Sequence, residues 1–184
     1  MSKKKPRPTP VPADRIPGIV DAHTHLASAG ARTPEEVDAI VDRAVDAGVE
    51  HICTVGDGLA EAELALAAAQ HNERVFAACA IHPTRAQELD DAARARLTEM
   101  AADPACVAIG ETGLDTYWIR HEPERTAPLD VQEEALRWHI DLSVSAGKTL
   151  MLHNREADAD LMRVLADAPA APNTSGGSRK PPAC

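Results

Sequence analysis

The chain has 184 residues and a formal net charge of -10. Its length suits one domain with an ample core. Its acidic balance excludes a broad basic surface for gripping nucleic acid, because such surfaces neutralise phosphates with Lys and Arg. No uncharged apolar run approaches the length needed to span a membrane, so no membrane partner is expected.

Residues 1–17 are basic and rich in proline, and they lack the apolar stretch of a secretory signal. They predict a disordered leader. Of the four cysteines, Cys53, Cys79 and Cys106 lie in apolar runs, Cys184 is the last residue, and none forms a C-x-x-C pair. We therefore expect reduced thiols that pack as small hydrophobes in a cytoplasmic protein.

The first strand and helix are predicted from an apolar run followed by helix-start signals. Gly18 to Asp21 is typical of a short strand. Thr33 can then cap a helix, Pro34 fits its first turn, and Glu36 completes a capping box. Gly48 is placed where that helix should end.

Four further strand and helix pairs follow in the same alternation. The expected strands cover residues 49–55, 75–81, 106–109 and 150–152, and the expected helices cover residues 59–69, 89–100, 131–144 and 157–166. Such alternation implies parallel strands joined by right-handed crossovers, in a doubly wound sheet or a barrel. Because no G-x-G-x-x-G follows the first strand, we favour an α/β fold with an incomplete TIM-like (β/α) barrel of about five units over residues 18–168.

The composition changes after residue 168. Residues 169–184 are rich in Pro, Gly, Ser and Ala, as expected of a flexible tail. A complete barrel typically needs about 250 residues. Our hypothesis is that the chain is a truncated or out-of-frame product of a longer barrel gene.

Three segments that follow apolar runs carry side chains able to bind divalent metals. They are Asp21-Ala22-His23-Thr24-His25, Gly110-Glu111-Thr112-Gly113-Leu114-Asp115 and His153-Asn154-Arg155-Glu156-Ala157. The carboxyl ends of barrel strands meet at one rim, so residues distant in sequence can share a pocket. Neutral imidazoles suit zinc and other first-row metals, and a carboxylate can bridge two ions.

Within these segments the residues have different expected roles. Strand alternation projects His23 and His25 together, Glu111 could bridge two metals, and His153 could complete the ligands. Asp115 could hydrogen-bond a ligand or stabilise a turn.

Two further residues are candidates for binding substrate. Arg155 could hold a phosphate through its planar fork of donors, or form a salt bridge with Glu156 or Asp158. His82, at the end of the third apolar run, could contact substrate or serve as a cap or packed side chain. For the remaining histidines ordinary structural roles suffice; these are His51, His71, His121 and His139.

Four motifs together resemble the TatD family of metal-dependent deoxyribonucleases. They are Val20-Asp21-Ala22-His23-Thr24-His25-Leu26, Ala80-Ile81-His82-Pro83, Ala108-Ile109-Gly110-Glu111-Thr112-Gly113-Leu114-Asp115 and Leu152-His153-Asn154-Arg155-Glu156-Ala157. Gln132 also looks like a family position, and the resemblance covers about residues 18–167.

This resemblance implies a TIM-like barrel that hydrolyses phosphodiester bonds in DNA. It implies His23, His25, Glu111 and His153 as ligands of two divalent ions, either Zn, Mg or Mn, with Glu111 also catalytic. Thr112 replaces an aliphatic residue common in the family. The family also expects a later His and a late Asp that this chain lacks, so we expect strongly reduced activity and allow for only one bound ion.

Two alternatives remain open. A histidine-rich barrel could serve another phosphoesterase or an amidohydrolase, because H-x-H alone does not identify a substrate. The chain could also be a noncatalytic metal-binding or assembly fragment. In that case the open barrel edges would favour self-association.

Overall fold

The computed structural model describes residue 11 and residues 14–168. The predicted tail over 169–184 and most of the predicted leader over 1–17 therefore lie outside the described residues. In the described part, five parallel strands form one sheet in the order of the chain. The strands are β1 (Ile19–Thr24), β2 (Val49–Val55), β3 (Val75–Ala78), β4 (Cys106–Asp115) and β5 (Thr149–Arg155).

Helices connect these strands, as parallel pairing requires. They are α1 (Pro34–Ala47), α2 (Leu59–His71), α3 (Asp91–Ala102), α4 (Thr116–His121), α5 (Leu129–Ala146) and α6 (Asp158–Ala166). Short 3₁₀ helices cover Pro83–Glu88 and Pro123–Arg125. The sheet curls into a half-barrel, which confirms the prediction of an incomplete TIM-like (β/α) barrel.

Local signals explain where the helices begin and end. The Thr33 side chain accepts a hydrogen bond from the Glu36 N–H, and the Glu36 side chain accepts one from the Thr33 N–H, so the capping box is formed. Gly48 follows α1 in the left-handed conformation, with φ of 102°. The short helix α4 was not predicted, because six residues are too few for a helical period to show in the sequence.

The main core lies between the sheet and the helices that pack against it. Its fully buried side chains include Ile81, Leu97, Met100 and Ile109. Burying each side chain of this size contributes ~1.5–3 kcal/mol from the hydrophobic effect. This packing fixes the strands whose ends carry the candidate site.

Strand β4 is longer than predicted, running to Asp115 rather than ending near Ile109. It pairs with β5 along this extra length, where Gly113 faces His153 and Asp115 faces Arg155. Gly113 has φ of +151°, and a Cβ built on it would lie 2.0 Å from the carbonyl oxygen of His153. The close approach of the two strands therefore requires glycine there.

Strand β3 is shorter than predicted and ends at Ala78, although the apolar run continues to Ile81. The chain still follows β4, since the Cys79 N–H donates to the Ala108 carbonyl oxygen at 3.1 Å. Cys53, Cys79 and Cys106 carry free thiols. Burial raises the pKa of Cys53 to about 11, so this thiol stays protonated near neutral pH.

Strands β1 and β5 form the two edges of the described sheet. Exposed apolar residues lie on both edges, with Val20 on β1 and Leu152 on β5. Self-association through these edges stays a prediction. Among the described residues, no helix is long and apolar enough to cross a membrane.

Candidate metal centre

The candidate ligands meet at the carboxyl-terminal rim of the sheet, as the parallel topology requires. His23 lies near the end of β1, and His25 follows that strand directly. His82 follows β3 and caps the first 3₁₀ helix. Glu111 lies within β4, and His153 lies within the neighbouring strand β5.

The first group of donors consists of His23, His25 and Glu111. The Nε2 atom of His23 lies 3.3 Å from Nε2 of His25 and 3.2 Å from Oε2 of Glu111. In tetrahedral zinc sites, with bonds near 2.05 Å, two ligand atoms are ~3.3 Å apart. The separations in this group therefore fit donors that share one ion.

The second group consists of His82, Glu111 and His153. The Nδ1 atom of His153 lies 2.7 Å from Oε1 of Glu111 and 3.1 Å from Nε2 of His82. Glu111 thus directs one oxygen at each group. This is the arrangement of a carboxylate that can bridge two ions, and the mixed nitrogen and oxygen donors suit first-row divalent metals.

Burial and neighbouring charges act in opposite directions on the central pair. Burial alone would raise the pKa of Glu111, but the hydrogen bond and charge of His153, with the charges of His82 and His23, lower it overall. Burial alone would lower the pKa of His153, but Glu111 and Asp115 raise it overall. An ion bound at His153 would therefore compete with a proton that these two carboxylates favour there.

His82 behaves differently from His153. Burial, with a smaller effect from the nearby charge of His153, lowers the pKa of His82 to about 4. Its imidazole is therefore neutral near neutral pH, which is the form that binds metal. The Nδ1 atom lies 2.8 Å from the Thr84 hydroxyl, so Nε2 is the nitrogen that faces Glu111 and His153.

Asp115 supports His153 from behind. Its side chain is fully buried, and Oδ2 lies 2.9 Å from Nε2 of His153. The Gln132 side chain fixes the Asp115 backbone, accepting from its N–H at 2.7 Å and donating to its carbonyl oxygen at 3.3 Å. Carboxylates in this position orient a ligating imidazole and raise its basicity.

A buried histidine braces two of the ligand-bearing segments. His139 on α5 accepts a hydrogen bond at Nε2 from the Ile81 N–H, at 3.2 Å, and donates from Nδ1 to the Ala135 carbonyl oxygen. The same Nδ1 lies 3.1 Å from the Thr112 hydroxyl. Ile81 precedes His82 in the chain, and Thr112 follows Glu111. The His139 imidazole therefore holds together the two segments that carry these candidate ligands, which is a structural role.

Arg155 lies at the same rim, two residues after His153. The carbon of its guanidinium is 4.1 Å from the Tyr117 ring centroid. The alternative salt bridges do not form, since Glu156 pairs with Arg120 and Asp158 accepts a hydrogen bond from Asn154.

Sequence reasoning missed Asp57, which lies two residues after the end of the second strand, at this rim. Its Oδ1 lies 3.5 Å from Nδ1 of His25, and its carbonyl oxygen accepts a hydrogen bond from the His82 N–H at 3.1 Å. The signal was available, because Gly56-Asp57-Gly58 follows an apolar run, as the three segments with candidate metal ligands do. Asp57 thus contacts both histidine groups.

Comparisons with known proteins bear on this centre. A family model described as TatD related DNase matches residues 20–176. The metal-dependent hydrolase TatD of Mycobacterium tuberculosis is 50% identical over 156 residues, covering 85% of this chain and 58% of that protein. The 3'-5' ssDNA/RNA exonuclease TatD of Enterobacter lignolyticus is 33% identical over 128 residues, covering 70% of this chain and 47% of that protein.

The fold also has a counterpart among solved structures. The crystal structure of YJJV, a TatD homologue from Escherichia coli, aligns with a TM-score of 0.66 and 23% identity. The alignment covers 79% of this chain and 55% of that one. The chain thus spans about half the length of the relatives it matches.

Proposed function

Because the chain belongs to the TatD related DNase family, we propose that it is a divalent-metal-dependent hydrolase of phosphodiester bonds in DNA. The observation that carries this proposal is the division of the Glu111 carboxylate, with one oxygen towards His23 and the other towards His153. The name of the Enterobacter lignolyticus relative, an exonuclease of single-stranded DNA and RNA, supports a nucleic-acid substrate.

We assign two ion positions to the centre. His23, His25 and Glu111 would hold one ion, and His82, Glu111 and His153 would hold the other. His82 thereby takes a ligand role in addition to the substrate contact suggested by its sequence position. Four imidazoles around one carboxylate favour zinc over magnesium and manganese, which prefer oxygen ligands.

Divalent ions held there would supply the charge that lowers the pKa of bound water and offsets the charge that develops on phosphate. The chain's own residues provide the positioning. Asp115 orients His153 through the 2.9 Å contact, and Gln132 holds the Asp115 backbone. Arg155, with its planar face against Tyr117, keeps the edge of its guanidinium available for a phosphate oxygen. The three free thiols in the described residues support our proposal of a cytoplasmic location.

Metal analysis and turnover of a Glu111→Gln variant test this function. We expect the purified wild-type chain to bind zinc, with at most two ions per chain, and to hydrolyse single-stranded DNA at the strongly reduced rate that the sequence predicts. Since Gln removes the bridging charge, the variant should retain at most one ion and lose at least ~100-fold in turnover. Chelation should likewise abolish the wild-type activity.

Glu99→Gln is the matched control, because Glu99 is an exposed carboxylate on α3 that pairs with Arg96. This variant should keep the wild-type metal content. A panel of DNA, a small phosphodiester and a cyclic amide separates the alternatives. Turnover of the cyclic amide alone would favour an amidohydrolase, whereas full metal content in Glu111→Gln would refute the proposed centre.

A further inference from the structure

Two of the four aromatic residues of the chain lie side by side next to the candidate metal centre. Tyr117 and Trp118 are on α4, directly after Asp115, and their rings meet edge to face with centroids 5.1 Å apart. Both side chains are only half-buried. The Tyr117 ring already stacks with His121, at 3.9 Å between centroids, and lies under the Arg155 guanidinium. The partly open Trp118 indole is therefore the ring available for stacking with a planar ligand.

Trp118 also lines a cavity of about 250 Å³. The other lining residues are Thr84, Arg85, Glu122, Arg125 and Thr126. This volume is slightly below the ~300–1,000 Å³ typical of sites for drug-sized molecules. It therefore suits one planar ring system with its attached sugar at the cavity mouth.

Hydrogen bonds connect this cavity to the metal centre on two sides. The Thr84 hydroxyl lies 2.8 Å from Nδ1 of His82. The Trp118 backbone N–H, in the first turn of α4, donates to Oδ1 of Asp115 at 2.8 Å, while Oδ2 of the same carboxylate contacts His153. A ligand in the cavity would therefore lie one residue away from two candidate metal ligands.

The charges around the aromatic pair favour an anion. Arg155 lies over Tyr117 and 5.3 Å from the Trp118 ring centroid. Arg125 is 82% exposed, with Nη1 3.6 Å from a carboxylate oxygen of Glu122, the acidic residue of the lining. A contact of that length at the surface contributes little, so the Arg125 guanidinium can exchange it for a phosphate.

We propose that this cavity is a subsite for one unpaired nucleotide of a nucleic-acid strand whose phosphodiester bond reaches the metal centre. The base stacks on the Trp118 indole, and the flanking phosphates contact Arg155 and Arg125. This inference rests on the proposed function and specifies how its substrate is held. Stacking needs a free base face, so a strand whose bases are unpaired is the substrate class that fits.

Binding of short single strands, measured by fluorescence anisotropy in the presence of a chelator, tests the subsite without cleavage. The probes are a labelled oligothymidylate and its abasic analogue, which carries the same phosphates without bases. The wild-type chain should bind the base-bearing strand roughly 10-fold more tightly, because stacking on one aromatic side chain has about that effect. Trp118→Leu should remove this preference, and Trp118→Phe should retain most of it.

Two matched controls separate stacking from general damage. Trp138, the other tryptophan, packs against the core near Arg94, so Trp138→Phe should bind as the wild type does. Arg155→Gln should weaken both strands equally, whereas Arg120→Gln should change neither, because Arg120 pairs with Glu156. Equal wild-type affinity for the two strands, or an unchanged preference in Trp118→Leu, would overturn the subsite.

The outcomes also distinguish this inference from the proposed function. A base preference in a chain that neither binds metal nor hydrolyses DNA would support the subsite and refute the hydrolase. Metal-dependent hydrolysis without any base preference would support the hydrolase and refute the subsite.

Discussion

His139 should make the stability of the protein fall in mild acid. Its imidazole is fully buried, and Nε2 accepts a hydrogen bond from the Ile81 N–H. Protonation of Nε2 would place its N–H against the Ile81 N–H, so that two donors would face each other. The folded chain therefore keeps the His139 ring neutral. Burial is the main cause that lowers the pKa of His139 from 6.5 to about 4, with the charge of Arg94 a smaller one.

The size and sign of the effect follow from proton linkage. Between pH 6.5 and about 4, the unfolded chain binds a proton at His139 that the folded chain does not bind. The free energy of unfolding therefore falls as the pH is lowered through this window, by ~1.4 kcal/mol per pH unit. The full loss is on the order of 3 kcal/mol, a large share of the ~5–15 kcal/mol that stabilises a typical domain.

Urea unfolding of the wild type and His139→Gln, at several pH values from about 7.5 to about 4.5, measures this loss. The glutamine can still accept from the Ile81 N–H but has no proton to gain. Subtracting the two profiles removes the contribution of the carboxylates common to both chains. His121→Gln, at an exposed position at the end of α4, controls for the removal of an imidazole. Parallel profiles for the wild type and His139→Gln would refute the reasoning.

Two further substitutions test how the site is supported. Gly113→Ala should destabilise the fold by more than ~2 kcal/mol in urea unfolding, because its Cβ would meet the His153 carbonyl oxygen. The control Gly30→Ala, at φ of +98° with open space around it, should lower the free energy of unfolding by only about 1 kcal/mol. Equal losses in the two variants would contradict the clash at Gly113. Asp115→Asn should keep the hydrogen bond that caps α4 at the Trp118 backbone N–H, but it removes the negative charge behind His153. Metal affinity, measured in competition with a chromogenic chelator, should therefore weaken by ~10–100-fold. An unchanged affinity would contradict this role of Asp115.

Much of the fold was predictable because its signals are local. The capping box at Thr33 and Glu36 and the glycine at position 48 are short patterns with a direct geometric meaning, and they place α1 correctly. The predicted helices between residues 59 and 166 begin and end within two residues of the observed ones. The strand order follows from alternation with helices, because each crossover returns the chain to the neighbouring position.

The convergence of the candidate ligands was also predictable, although their roles stay proposals. His23, Glu111 and His153 each follow an apolar run, and the ends of parallel strands share one rim. The partner atoms were not predictable, because they depend on register. The length of β4 beyond Ile109 arises from pairing with β5, and no apolar periodicity marks it. The bracing role of His139 was hidden for the same reason, since its partners are 58 and 27 residues away.

The charge of the chain constrains how it would recognise a polyanion. With a net charge of -10, the protein as a whole repels nucleic acid at distances up to the Debye length, about 8 Å at physiological salt. Attraction must therefore come from short-range contacts at the rim. Divalent ions held around Glu111 would invert the local sign of the field. In the proposed subsite, Arg155 and Arg125 would add two positive charges, and Trp118 would add a stacking contact that salt does not screen. Selectivity for a strand would then depend on the base and on the geometry of a few phosphates, rather than on long-range attraction.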